Sequence, residues 1–208
     1  SFGKTEMWYI MDADPGSRLI VGFNRDVRPE EYQQALEDGR ITDLLHYQEV
    51  APGEGYFINS GRIHAIGAGV LLAEIQQSSD ITYRVYDFDR KDAGGNLREL
   101  HTELALDAMD FQKTEDFEIA YARDPNQENT MVSCPYFTTK YLNLNRDTTR
   151  DLSSRDAFTA FIGISGTATI RCGSGQEQIR MGQTLLLPAA ANRVEVQSGG
   201  CELLEVSI

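Results

Sequence analysis

The chain has 208 residues, 41% of them hydrophobic, and carries 32 acidic against 19 basic side chains for a formal net charge of −13. That length suits one large all-β domain or two small ones, and that charge argues against nucleic acid and anionic membrane surfaces as partners. No apolar run approaches the ~20 residues of a membrane span, and nothing suggests a signal peptide. A soluble, cytoplasmic protein is expected. Cys134, Cys172 and Cys201 are widely spaced with no CxxC pair, which fits a reducing compartment and structural roles for all three.

In chain order, KTEMWYIM (4–11) reads as a strand rich in β-formers. Alternation puts Lys4, Glu6 and Trp8 on one face and Thr5, Met7 and Tyr9 on the other. On this pattern alone, Lys4 and Glu6 are a surface ion pair or two groups in a pocket. A turn at Asp14-Pro15-Gly16 leads to a second strand, Arg18 to Phe23. Between Arg28 and Leu45 the period changes, with Pro29, Glu30 and Glu31 in a first helical turn. A helix of about three turns is expected there, broken at Gly39 and followed by a shorter helical piece, with strand structure resuming at Val50.

Gly53-x5-Asn59-x-Gly61-x2-His64 has the spacing of the second motif of cupin barrels, with Asn59 where proline is usual. Glycines of this kind make the tight corner between strands, and His64 then enters the barrel at the start of the next one. A lone histidine is commonly a satisfied core residue; the spacing favours a metal ligand. Val70 to Gln77 reads as a strand with Leu72, Glu74 and Gln76 on one face. After a turn at 78–80, Ile81 to Phe88 reads as another, with Thr82, Arg84 and Tyr86 aligned. Antiparallel pairing of these two strands would bring Glu74 and Arg84 into one cavity, or make them a surface salt bridge. A loop over 89–100 precedes a short helix, 101–109, with His101 expected on the surface.

The expected architecture is mainly β. A metal-binding, double-stranded β-helix (cupin) domain spans 1–110, incomplete at its N-terminus, with a helical insertion at about 28–46. A connecting segment, 111–130, leads to a smaller cupin-like domain at 131–208. That second domain contains a faint repeat of the first. Gly182-x5-Pro188-x-Ala190-x2-Arg193 reproduces the spacing of the Gly53 to His64 segment with Arg193 in place of the histidine, so a domain without metal ligands is expected there.

The strings GKTEMWYI, GYFINSGRIHAIGAGVLLAEIQQSSDITYRVYDFDR and RELHTELALD together resemble the type I mannose-6-phosphate isomerases, zinc-dependent cupin enzymes. The resemblance implies that Glu6 and His64 are metal ligands, that Lys4 and Arg84 are active-site cations, and that Glu74 lines the same pocket. It also implies a reaction that interconverts mannose 6-phosphate and fructose 6-phosphate by moving a proton between C2 and C1 through a cis-enediol. Zinc would serve as Lewis acid and template, and Arg84 would meet developing charge or phosphate. Lys4 would bind phosphate or transfer a proton, and Glu74 would do acid/base work. In this family a Q-x-H-P strand bearing further ligands precedes the K-x-E motif. The chain starts at Ser1 without it, so a fragment that holds zinc weakly is the expectation.

A non-catalytic cupin that binds a sugar or sugar phosphate is the alternative. A metal oxygenase of the three-His type fits least, because His64 has no H-x-H partner and the chain holds only three histidines.

Overall fold

A computed structural model describes residues 3–79, 81–88 and 90–208; Asp80, expected in a turn, and Asp89, expected in a loop, lie outside the described residues. The chain divides into two compact units, Ser1–Glu118 and Ile119–Ile208.

In the first unit, β1 (Glu6–Ala13) is the centre of a three-stranded antiparallel sheet, flanked by β4 (Gly55–Ile58) and β6 (Val70–Gln76). A second three-stranded sheet has β2 (Arg18–Phe23) between β3 (Leu45–Glu49) and β5 (His64–Ile66). Residues directly opposite in an antiparallel pair share a face. Glu6 lies opposite Ile58 and Gln76, and Trp8 opposite Tyr56 and Glu74. In the other sheet Val21 is opposite His64 and Leu19 opposite Ile66. Trp8, Ile10, Tyr56 and Ile58 pack against Leu19, Val21 and Phe117, so these two faces look at each other across the barrel interior. Polar Glu6, Glu74 and His64 sit on the same inner faces, at one end of that apolar floor.

The outer face of β2 carries Ile20 and Phe23, which pack with Tyr32 and Ala35 of helix α1 (Pro29–Glu37) and with Ile41, Leu44 and Leu45. The ladder slips between Ile20 and Phe23, where Gly22 has φ +77°. This irregularity puts residues three apart on one face of a period-2 strand. α1 begins as its sequence dictates, with Pro29 in the first turn and Glu30 and Glu31 beside the positive end of the dipole. A 3-10 turn, Ile41–Leu44, follows it. The strand after that turn starts at Leu45, earlier than the sequence indicates, because Leu44 and Leu45 continue the apolar spacing of the helix. The backbone nevertheless opens to an extended φ −85°, ψ 144° at Leu45.

Ile81 to Phe88 is also corrected. It is not a strand: its described residues have no sheet partner, and β6 pairs with β1 rather than with this segment. Its β-former composition carries the chain in extended form without a ladder. The short helix after it is α2 (Thr102–Leu106).

The second unit is a seven-stranded antiparallel sheet built on two long strands, β10 (Thr159–Cys172) and β13 (Arg193–Ser207). β13 also pairs β8 (Thr138–Leu144) and β9 (Thr148–Asp151), and β10 pairs β11 (Gly175–Arg180) and β12 (Thr184–Leu187). β7 (Asn129–Ser133) completes the edge beside β8. The core comprises Leu142, Leu144, Phe161, Ile170, Val194, Val196 and Leu203, with neighbours of the same kind. Glu205 is buried at 1% exposure on β13. Arg150 Nε and Nη2 donate to its two oxygens at 2.7 and 3.0 Å, and Arg155 Nη2 donates at 2.5 Å. Burial opposes the charge on Glu205, but the two guanidinium groups overcome it and hold its pKa down. Arg150 also pairs with Glu128, which takes Lys140 as well.

Hydrogen bonds from Arg150 and Lys140 pull the pKa of Glu128 from 4.5 down to about 2. A depressed folded-state pKa stabilises above the unfolded value and is lost as pH falls through the folded one. The stability of the second unit, followed by urea titration at successive pH values, is therefore expected to decline between about 4.5 and about 2. The Glu128→Gln variant should show a shallower decline over the same window.

Candidate active site

The inner end of the first barrel is where its buried charge collects. Glu6 is the first residue of β1 and is 1% exposed. Its Oε2 lies 3.7 Å from His64 Nε2 and its Oε1 lies 3.7 Å from Lys4 Nζ. Both separations exceed hydrogen-bond length, and Oε1 is buried with no hydrogen-bond partner. A buried carboxylate left in this condition costs free energy unless something else satisfies it.

His64 is delivered by the glycine corner. Gly53 and Gly61 have φ +91° and +87°, a backbone region that side-chain-bearing residues avoid. A Cβ at Gly61 would also stand 2.5 Å from the Ala108 carbonyl oxygen. The imidazole is then fixed from two sides. Its Nδ1 lies 2.7 Å from the Arg62 carbonyl oxygen, which can only accept, so Nδ1 carries a proton and, in the neutral ring, Nε2 is the nitrogen left to donate electrons. Its plane is set edge-on to Trp8, with ring centroids 5.3 Å apart.

A bare Nε2 oriented by a backbone carbonyl on the other nitrogen is the arrangement of a metal-binding imidazole. Facing it across 3.7 Å is a carboxylate with an unsatisfied oxygen. Zinc ligands stand about 2 Å from the ion, so the 3.7 Å between His64 Nε2 and Glu6 Oε2 fits one ion between them, while the orphaned Oε1 is the oxygen on the Lys4 side. Among the described residues no third His, Cys, Asp or Glu joins them.

Lys4, Glu6, His64 and Arg84 all line one cleft of about 810 Å³, with Arg62, Arg90 and Arg98 among its other walls. Asp87 and Asp107 also line it, and Asp87 pairs with Arg90 and Arg98; basic side chains still outnumber acidic ones there, a local excess that suits an anionic ligand in a chain of net charge −13. Glu74 is not on that lining. It stands opposite Trp8 on the inner face and interacts with the charges of Glu6, Lys4 and His64. Burial raises its pKa most and Glu6 raises it further, while Lys4, His64 and the Trp8 indole pull it back.

The structure therefore brings Lys4, Glu6 and His64 into mutual contact range, puts Glu74 on the same inner face, and puts Arg84 in the cleft by a route the sequence does not announce. Arg84 is not on a strand paired with that of Glu74. Its backbone N–H donates to His101 Nδ1 at 3.1 Å, and the His101 N–H donates to the Arg84 carbonyl at 2.8 Å. His101 is accordingly half-buried and engaged, not a surface residue. Sequence reasoning also misses Arg62, whose guanidinium is 4% exposed, within 3.6 Å of Asp116, and donates to the Phe57 carbonyl at 3.2 Å. The one available signal is its place inside the glycine-histidine motif, between Gly61 and His64.

Two β units, the first aiming a glycine-delivered histidine and a buried glutamate at each other, define a protein of the cupin class. Residues 127–208 match the family model described as mannose-6-phosphate isomerase, cupin domain. The chain is 34% identical over 188 residues to mannose-6-phosphate isomerase ManA of Bacillus subtilis, covering 89% of this chain and 59% of that protein. It is 36% identical over 187 residues to the mannose-6-phosphate isomerase of Streptococcus mutans, covering 89% and 58%. The crystal structure of mannose 6-phosphate isomerase from Bacillus subtilis superposes with a TM-score of 0.86 at 29% identity, covering all of this chain and 65% of that one. The chain is similar to mannose-6-phosphate isomerases over most of its own length, and it spans just under 60% of the length of the two curated relatives named here.

Replacing Glu6 by Gln removes a buried charge that lacks a hydrogen-bond partner on Oε1. The metal-free Glu6→Gln protein is expected to melt above the metal-free wild type, by about 2–4 °C if the gain is about 1 kcal/mol. Calorimetry after chelator treatment measures this; a lower melting temperature would show that Lys4 and His64 already compensate the carboxylate.

Proposed function

We propose that this chain carries the sugar-phosphate site of a zinc-dependent mannose-6-phosphate isomerase, interconverting mannose 6-phosphate and fructose 6-phosphate. The observation that carries the proposal is the facing pair of Glu6 and His64, set in one cleft with Lys4 and Arg84. The relatives named above are called mannose-6-phosphate isomerases, which supports this reading.

Glu6 and His64 would hold the metal. A bound zinc ion supplies Lewis acidity toward a carbonyl or hydroxyl oxygen and fixes the sugar's orientation. The remaining work falls to the chain's own side chains. Proton transfer between C2 and C1 requires a group that can both take and return a proton. Glu74, on the inner face and pushed up by desolvation and by the Glu6 charge, and Lys4, which lines the cleft where Glu74 does not, are the two candidates for that role. As the proton leaves, negative charge grows on the enediol oxygens, and the Arg84 guanidinium is the donor that meets it. Lys4, beside Glu6 at the cleft wall, binds the phosphate or shuttles a proton. The cationic lining concentrates an anionic substrate that the overall field of the chain would repel.

The net charge of −13 argues against nucleic acid or an anionic membrane as a partner, and no helix among the described residues is long and apolar enough to cross a membrane. Cys134, Cys172 and Cys201 are free thiols, which supports a reducing, cytoplasmic setting.

A coupled assay of mannose 6-phosphate isomerisation on the full-length gene product, with and without chelator, tests the proposal. Turnover should vanish with the metal. His64→Ala should abolish bound zinc in elemental analysis. Arg84→Ala should keep zinc and lower kcat/KM by roughly 100-fold, in line with loss of a preorganised donor at the reacting charge. No turnover by the zinc-loaded wild type would favour the non-catalytic sugar-binding reading instead.

A further inference from the structure

Arg84 presents a physical difficulty that the cleft alone does not resolve. A guanidinium that must meet developing charge needs a fixed backbone beneath it, yet the described residues of 81–88 belong to no sheet. What anchors the segment is a set of rungs across the loop it opens. At the base, the Arg84 N–H donates to His101 Nδ1 at 3.1 Å and the His101 N–H donates to the Arg84 carbonyl at 2.8 Å. Above it, the buried Asp87 carboxylate takes Arg98 through both oxygens, with Nε at 2.5 Å, and takes Arg90 Nη2 at 3.3 Å. Farther out, Lys91 bridges Leu97, and Asp92 Oδ1 accepts the Gly94 and Asn96 N–H groups.

The base rung differs from an ordinary backbone ladder in one respect. One of its two hydrogen bonds ends on a side-chain nitrogen. Accepting at Nδ1 requires that nitrogen to be unprotonated, with the proton on Nε2. His101 also precedes α2, its carbonyl accepting the Ala105 N–H at 3.0 Å. Leu104 and Ala105 of that helix line the cleft, while His101 itself does not.

We propose that His101 is a positioning residue for Arg84, its Nδ1 accepting the Arg84 amide so that the guanidinium is held in the cleft from the α2 side, with the Asp87–Arg98 pair as the next rung. The catalytic consequence rests on the reading of Arg84 as a substrate-contacting residue; the positioning itself does not.

Two variants of the full-length protein separate the acceptor from the bulk. His101→Phe keeps a ring of similar size against Tyr83, 6.2 Å away between centroids, but has no acceptor. His101→Asn keeps a short-reach acceptor and loses the ring. Amide hydrogen exchange at Arg84 and the isomerase assay are read on both, with zinc content and melting temperature as controls. The expected result is lost protection of the Arg84 amide in His101→Phe, with kcat down roughly 10- to 100-fold, KM little changed and zinc retained. His101→Asn should recover both the protection and most of the rate. Unchanged exchange in His101→Phe, or His101→Asn no better than His101→Phe, overturns the proposal. If Arg84→Ala itself retains turnover, the catalytic reading of Arg84 fails instead, and the exchange data alone decide whether His101 positions it. Should His101→Phe fail to fold, the same exchange measurement on Arg98→Met, which cuts the second rung, is expected to show lost protection at 84–88; full protection there overturns the proposal.

Discussion

The first unit turns on one unsatisfied interaction, the buried carboxylate of Glu6. Its neighbours on β1 are Met7, Trp8, Tyr9 and Ile10, every one of them buried, so the strand is fixed by packing and the carboxylate has no freedom to seek water. Lys4 and His64 stand within 3.7 Å on either oxygen, close enough for attraction and too far for a hydrogen bond. The apolar floor of Trp8, Ile10, Leu19 and Val21 therefore does more than stabilise the barrel. It holds a negative charge at the one place where a cation can be captured between it and a bare imidazole nitrogen. Stability given up at Glu6 is the condition for binding, a familiar relation between strain and function.

How much of this is visible in the sequence depends on the kind of constraint involved. β1, β2 and α1 are legible because each obeys its own period, and because Pro29 with Glu30 and Glu31 marks a helix start. The face shared by Lys4, Glu6 and Trp8 follows from alternation, although alternation alone favours a surface pair over a pocket. His64 is legible through Gly53 and Gly61, whose positive φ gives the spacing a mechanical reason. The segment at 81–88 is not legible. It has the composition of a strand, and pairing is decided by neighbours far along the chain rather than by its own residues. His101 is missed for a related reason, since its partner is a backbone amide seventeen positions away. No local pattern encodes such a contact.

The three routes by which charged groups reach the site also differ in rigidity. Glu6 and Glu74 come from adjacent strands locked in register. His64 comes from a glycine corner, its ring held by Trp8 and the Arg62 carbonyl. Arg84 comes from an unpaired segment whose geometry rests on a few side-chain rungs. On the proposed reading, metal capture would fall to the stiff part of the fold and substrate contact to the part that local side-chain bonds can retune. That division matches what each task demands, since ligand positions for a metal tolerate little error while a sugar phosphate must enter and leave.

The second unit uses the same corner to a different end. Gly182 has φ +78° and leads through β12 to the first residue of β13, as Gly53 leads through β4 to the first residue of β5. Arg193, like His64, is exposed, and Val194 after it turns into the core; the two units differ in how their acidic side chains are matched. Acidic side chains in the second unit are matched by basic ones: buried Glu205 by Arg150 and Arg155, and exposed Glu128 by Arg150 and Lys140. A charge already matched on every side has nothing to offer a ligand. Substitutions that unpair Glu205 would recreate in the second barrel the kind of hunger that Glu6 maintains in the first.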